Sequence, residues 1–177
     1  MRFQAALSWD EVKRYKAKHD LPLILKGIAT AEDAEIALAH GVEVIYVSNH
    51  GGRQLDHCLG TAAVLPEIVA AVDGRAEVWV DGGFMRGSDV VKAIALGART
   101  VGIGRLACLG LAAAGVPGLV RTLELLEEEV RICLGLLGVT SFAALTQRHV
   151  TSAAPVSEPG VLSAFPLLDE FPGPDLP

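Results

Sequence analysis

The apolar positions of this chain gather into four short runs, each followed by polar residues or glycine. The runs cover residues 23–25, 44–47, 78–80 and 100–103. They do not alternate between apolar and polar side chains, which is typical of strands that are covered on both faces in a parallel sheet. We therefore predict four parallel strands.

Helix-like segments precede the first run and follow every run. Their ends carry ordinary signals: Ser8 and Thr30 as N-caps, and Gly41 after a last turn at His40. The predicted helices cover residues 9–18, 31–40, 61–73, 88–96 and 117–137, with a further short helix from Thr140 or Ser141.

The element order is one helix, four β-α units and an extra helix, which predicts an α/β fold with right-handed crossovers. The spacing of the strands suits a (β/α) TIM-type barrel, but four strands cannot close a barrel that normally uses eight. Residues 1–150 are therefore either half of such a barrel or a small open sheet.

Composition supports a folded domain, or part of one, because the 177 residues are 51% hydrophobic and 20% charged. A formal charge of −6, without a basic cluster, argues against a nucleic-acid partner. No run of about 18 uninterrupted apolar residues occurs, so we predict no transmembrane helix. The first residues lack the apolar core of a secretory signal.

The three cysteines, Cys58, Cys108 and Cys133, are odd in number and show no CxxC spacing. They predict free thiols in a reducing cytoplasm and give no metal motif.

Residues 151–177 differ from the rest of the chain in composition, because they hold six prolines and no Lys or Arg. They are either a disordered tail or, given their Leu and Phe residues, a segment lying along a groove of this or a neighbouring subunit.

The most informative segment is residues 48–56, Ser-Asn-His-Gly-Gly-Arg-Gln-Leu-Asp, directly after the second strand. A histidine such as His50 can exchange a proton near neutral pH. The guanidinium of Arg53 offers a rigid fork of donors that suits a carboxylate. The segment therefore predicts an acid/base site beside a carboxylate-binding group, unless both side chains only form surface hydrogen bonds.

The next two strands end in glycine-bearing turns that each carry an arginine. Asp81-Gly82-Gly83 is followed by Arg86, and Gly102-Ile103-Gly104 by Arg105. Backbone N–H groups and guanidinium at such turns favour a bound phosphate, and barrels hold phosphate after their last strands. The glycines could also serve tight turning alone. Lys26 ends the first strand, where it needs an anionic partner, from the protein or from a cofactor.

These residues resemble a known family, the FMN-dependent α-hydroxy-acid dehydrogenases and oxidases. The resemblance rests on Lys26-Gly27, the 48–56 block, Asp81-Gly82-Gly83 and Gly104-Arg105, and it runs in register from about Ser8 to Val150. It implies a (β/α)8 barrel with FMN at its carboxyl face, of which this chain corresponds to strands five to eight.

The resemblance also implies a role for each matching residue. His50 is the base that takes a proton from the 2-hydroxy acid, and Arg53 binds the substrate carboxylate. The implied FMN-binding residues are Lys26, beside the flavin ring, Ser48, Asp81, Gly82, Gly83, Gly104 and Arg105. Met85 and Leu106 stand where the family has Arg and Pro.

In the family, the first half of the barrel supplies further substrate-binding residues and the carboxylate that pairs with the catalytic histidine. We therefore expect little turnover from the chain alone, and self-association or pairing with the missing half through its open strand edges. Two alternatives are a noncatalytic half-barrel that binds flavin or phosphate, and another phosphate-binding barrel enzyme such as an FMN-dependent isomerase.

Overall fold

A computed structural model describes residues 7–153 of the chain. Its centre is a sheet of four parallel strands in sequential order: β1 Ile24–Ile28, β2 Val44–Val47, β3 Glu77–Val80 and β4 Thr100–Val101. The predicted four-stranded parallel α/β arrangement is confirmed. Within the described residues β1 and β4 are the two edges of the sheet. The predictions for the tail concern residues that lie almost entirely outside the described part.

Five helices accompany the sheet in the described part of the chain. They are α1 Trp9–Lys18, α2 Ala31–Ala39, α3 Thr61–Val72, α4 Gly87–Ala95 and α5 Arg105–Leu136. Three short 3-10 turns, His50–Gly52, Phe142–Ala144 and Gln147–His149, complete the described elements.

The helix ends follow from local chemistry. Ser8 caps α1 in a capping box with Glu11, and the Thr30 hydroxyl accepts a hydrogen bond from the N–H of Asp33 at 3.2 Å. Gly41 follows the end of α2 with φ +73°, a left-handed conformation that glycine adopts without steric cost. The observed ends of α1 and α2 accordingly lie within a residue of the predicted ones.

One face of the sheet is buried under α2 and α3 and forms the main core. Ile45, Val47 and Val80 are fully buried there, against Leu65 and Ile68 of α3. The other face is more open: Ile24 remains 43% exposed, and Tyr46 and Trp79 are half-buried. Tertiary packing thus covers one face thoroughly, whereas the second face is the concave side expected of an open part-barrel.

Strand β1 begins one residue later than the predicted run at 23–25 and extends three residues further, through Lys26 and Gly27 to Ile28. Gly27 has φ +105°, and the register with β2 shifts between Lys26 and Ile28. A lysine and a left-handed glycine do not give a strand-like pattern, so these positions escaped the sequence prediction. Strand β4 is shorter than the predicted 100–103, because Gly102 and Ile103 lie beyond its last paired residue, Val101.

The last helix is much longer than the predicted 117–137 and has a break inside it. Ala114 and Gly115 leave helical geometry, with φ +62° at Gly115, and Pro117 lies just beyond the break. A proline is tolerated in the first turn of a helix, which explains why the second part starts there. The short helix expected from Thr140 or Ser141 is a 3-10 turn and not an α-helix.

By length and composition alone α5 could cross a membrane, because an 18-residue stretch has a mean hydropathy of 1.6 and none of it is buried. The sequence criterion of an uninterrupted apolar run missed this stretch, because only 15 residues separate Arg105 from Arg121 and an 18-residue stretch there includes a charged side chain. Ala114 and Gly115 leave helical geometry inside α5, whereas a lipid-exposed segment needs a continuous helix to satisfy its backbone. The absence of a transmembrane helix stays a prediction.

Candidate functional site

A cavity of about 660 Å³ opens at the carboxyl edge of the sheet. Its size is typical of small-molecule sites. Eight of the nine site residues predicted from the sequence line it: Lys26, His50, Arg53, Asp81, Gly82, Gly83, Gly104 and Arg105. The ninth, Ser48, lies directly beneath and is 1% exposed. Residues from all four β-α units therefore meet at one place.

Ser48 fixes the floor of the cavity after β2. Its hydroxyl oxygen accepts hydrogen bonds from Lys26 Nζ at 2.7 Å and from the backbone N–H of His50 at 3.2 Å. A buried hydroxyl with two charged or polar partners is held in one orientation. Ser48 thus links the lysine of β1 to the turn that carries the histidine.

The turn after β2 has an unusual backbone. His50 has φ +56°, and Gly51 and Gly52 have φ +72° and +70°, while the Asn49 side chain accepts a hydrogen bond from the Gly52 N–H at 3.2 Å. A non-glycine residue with positive φ is uncommon and often marks a functional site. A Cβ on Gly27 would lie 2.9 Å from His50 Cε1, so glycine at position 27 lets the imidazole pack against β1.

Lys26 and Asp81 form an ion pair at the centre of the floor, with Nζ 2.9 Å from Oδ2. The other carboxylate oxygen, Oδ1, is buried and has no hydrogen-bond partner within the described residues. The sequence predicts an anionic partner for Lys26, and the structure supplies one in the carboxylate of Asp81. Lys26 nevertheless lines the cavity.

The Asp81–Gly83 turn is anchored from below by Thr61, at the start of α3. The Thr61 hydroxyl donates to the carbonyl of Asp81 and lies 3.4 Å from that of Gly82. Gly82 has φ +104°, and a Cβ there would lie 2.8 Å from the same hydroxyl. Close packing and backbone geometry both require glycine at this position.

Arg105 is the first residue of α5 and lies at the mouth of the cavity, where its Nη2 donates to the carbonyl of Gly51 at 3.1 Å. A cation at the N-terminal end of a helix, next to Gly104, suits a phosphate. Arg86, which the sequence pairs with the other glycine turn, points elsewhere. Its Nη2 binds Glu129 Oε1 of α5 at 3.1 Å, and its role in gripping phosphate is not supported.

His50 and Arg53 are exposed, and neither forms an ion pair within residues 7–153. Both therefore present free polar groups to the cavity. No cluster of three or more His, Cys, Asp or Glu side chains suited to a metal ion occurs in the described part of the chain.

Sequence reasoning missed three supporting residues: Tyr46, Asn49 and Thr61. Asn49 and Thr61 hold the two turns, as described above. Burial, together with the charge and hydrogen bonding of the neighbouring Asp81 carboxylate, raises the pKa of Tyr46 above its usual range. Tyr46 sits inside an apolar run and Thr61 is a helix start, so neither carries a local signal of function.

The cavity fits the flavin mononucleotide implied by the sequence resemblance. Among the lining residues three side chains are cationic, Lys26, Arg53 and Arg105, against the one carboxylate of Asp81. A Cβ on Gly83 or Gly104 would meet no atom within 4 Å, so open space adjoins the backbone of both glycine turns. An anionic group with a flat ring system suits such a surface.

Comparisons with known proteins give a consistent result. A model of the family described as FMN-dependent dehydrogenase matches residues 1–152. Glycolate oxidase 1 of Zea mays is 44% identical over 160 residues, covering 90% of this chain and 42% of its own length. 2-Hydroxyacid oxidase 1 of Mus musculus is 49% identical over 133 residues, covering 75% and 36%.

A solved structure of a mandelate oxidase variant with a C4a-OH-FMN adduct is also similar. The TM-score is 0.76 at 51% identity, covering 78% of this chain and 42% of that one. The chain thus spans about two fifths of the length of the proteins that it matches, and its fold is that of a partial TIM-type barrel.

Proposed function

Because this chain belongs to the FMN-dependent dehydrogenase family, we propose that it forms the FMN-binding, proton-abstracting part of an enzyme that oxidises a 2-hydroxy acid to a 2-oxo acid. The observation that carries the proposal is the convergence of eight predicted site residues on one cavity. When bound, FMN supplies the two-electron acceptor for the oxidation.

His50 is proposed as the base that takes the proton from the 2-hydroxy acid. Its ring packs against Gly27 and faces the cavity, where it is free of other described partners. Arg53 lies three residues further along the same turn and is proposed to bind the substrate carboxylate, because its planar fork of donors matches two carboxylate oxygens. In a 2-hydroxy acid the carbon that bears the hydroxyl group is bonded directly to the carboxylate carbon, so His50 and Arg53 could contact the two groups at the same time.

The remaining residues are proposed to hold FMN. Lys26, supported by Ser48, places a cation at the centre of the floor, where it stabilises negative charge on the flavin ring. Asp81, Gly82 and Gly83, which line the cavity, would hold the ribityl chain and phosphate, and Gly104 and Arg105 would bind the phosphate at the start of α5.

The chain alone is proposed to turn over slowly. His50 has no carboxylate partner within the described residues to orient its ring, and the concave face of the sheet is open, with Ile24 43% exposed. We propose that a second copy of the chain, or the rest of a barrel, covers this face. Cys58, Cys108 and Cys133 are free, which supports a proposed location in the reducing cytoplasm.

The test of the base uses His50→Ala with His57→Ala as a matched control. His57 directly follows the 48–56 segment, is exposed and does not line the cavity. Each variant is combined with the complementary part of a related barrel, and flavin absorbance is followed while glycolate, L-lactate or mandelate is added. We expect His50→Ala to bind FMN, but the rate at which the added acid bleaches the flavin absorbance should fall by about 100-fold or more.

Bleaching by His50→Ala at the rate of His57→Ala would refute the assignment of His50 as the base. FMN binding without bleaching in the complemented unmodified chain would instead favour the noncatalytic flavin-binding module. Gel filtration of the chain tests the partner separately, because a well-behaved monomer would contradict self-association.

A further inference from the structure

We propose that Tyr46 is a positioning residue that sets how much of the positive charge of Lys26 faces the cavity. It does so through Asp81, whose carboxylate pairs with Lys26 and whose side chain lies beside the Tyr46 hydroxyl. This inference rests on the proposed function in one respect only, that the anion which Lys26 contacts in the cavity is FMN.

Tyr46 lies in the middle of a row across the sheet. The strand register aligns Lys26 of β1 with Tyr46 of β2, and Tyr46 with Trp79 of β3. Lys26 Nζ lies 5.1 Å from the centroid of the Tyr46 ring, and the Trp79 ring packs edge-on at 5.9 Å on the other side. The phenol ring is therefore held in place by a cation and by an aromatic partner.

The hydroxyl of Tyr46 reaches across β3 to the end of β4. It occupies the place that a Cβ on Gly102 would take, and Asp81 Cβ lies 3.2 Å from that same point. Glycine at position 102 thus gives the hydroxyl room beside Asp81. Burial and the negative charge of Asp81 raise the pKa of Tyr46, so the hydroxyl keeps its proton next to the Asp81 side chain, whose Oδ1 has no hydrogen-bond partner within the described residues.

The electrostatic consequence concerns Lys26. Asp81 Oδ2 is 2.9 Å from Lys26 Nζ, and in a partly buried site this pairing cancels much of the lysine charge. A donor hydroxyl next to the carboxylate takes up part of its negative charge. Tyr46 thereby weakens the hold of Asp81 on Lys26 and leaves more of the cation for an anion in the cavity.

The experiment measures the reactivity of Lys26 in the full chain without FMN. Acetic anhydride acylates only the neutral amine, and mass spectrometry compares Lys26 with the exposed Lys92 in the same molecule. The variants are Tyr46→Phe, Gly102→Ala, which crowds the hydroxyl away from Asp81, and Tyr15→Phe as the control on α1. Far-UV circular dichroism shows whether each variant keeps its fold.

We expect Lys26 to react roughly threefold more slowly relative to Lys92 in Tyr46→Phe and in Gly102→Ala, because the unopposed carboxylate favours the charged amine. Tyr15→Phe should leave the ratio unchanged. An unchanged or faster reaction of Lys26 in Tyr46→Phe would overturn the proposal. A parallel FMN titration of the unmodified chain tests the proposed function alone, and its failure would leave the Lys26 result standing.

Discussion

Replacing Gly82 with alanine should destabilise the chain more than the same replacement at two other left-handed glycines. Gly74, Gly82 and Gly83 all have positive φ, at +71°, +104° and +81°. Alanine in this region costs about 1–2 kcal/mol. At Gly82 the added Cβ also lies 2.8 Å from the Thr61 hydroxyl and 3.3 Å from Asn49 Oδ1, whereas at Gly74 and Gly83 it meets nothing within 4 Å.

The crowding at Gly82 displaces the hydroxyl that donates to the carbonyl of Asp81, which adds about 1–3 kcal/mol. Urea unfolding should therefore give losses of about 1–2 kcal/mol for Gly74→Ala and Gly83→Ala, and about 2–5 kcal/mol for Gly82→Ala. Equal losses at all three positions would refute the account of this turn as anchored by Thr61.

Two further predictions concern the helices. Glu129 Oε2 accepts a hydrogen bond from the buried N–H of Gly87 at 2.7 Å, so Glu129→Ala should lower the free energy of unfolding by about 1–3 kcal/mol. The exposed Glu128 is the control in the same urea experiment, and an equal loss in Glu128→Ala would contradict the prediction. Hydrogen bonds from the side chain and backbone of Ser8 lower the pKa of Glu11 from 4.5 to about 2. The cap of α1 is therefore fully present above pH 4.5 and is lost as the pH falls through about 2. Between pH 4.5 and about 2, the free energy of unfolding should fall less in Glu11→Gln than in the unmodified chain. Identical pH dependences of unfolding in the two proteins would refute this.

The sequence predicts most of the fold because local signals and long-range packing agree. The caps at Ser8 and Thr30 and the left-handed Gly41 after α2 depend on neighbouring residues only, and they are observed where predicted. The break in α5 is different. Pro117 marks the start of its second part, but the first part, from Arg105, packs back through a contact between Gly110 and Gly118 that no local pattern reveals.

The site is predicted only in part, for a similar reason. The residues of the 48–56 block and the two glycine turns carry their chemistry in their own side chains and spacing, and they meet at one cavity. Tyr46 and Thr61 act through contacts with Asp81, which is 35 or 20 residues away in the chain. The place of Arg86 beside a glycine turn favours a phosphate contact, but in the structure its guanidinium pairs with Glu129 on the packed α5.

The most direct test of the central claim is an FMN titration followed by quenching of flavin fluorescence. It compares the unmodified chain with Arg105→Ala at the mouth of the cavity and with Arg99→Ala, an exposed arginine outside it. We predict saturable binding of one FMN, weakened about tenfold or more by Arg105→Ala and unchanged by Arg99→Ala. No saturable binding, or equal weakening by both variants, would contradict the assignment of this cavity as an FMN site.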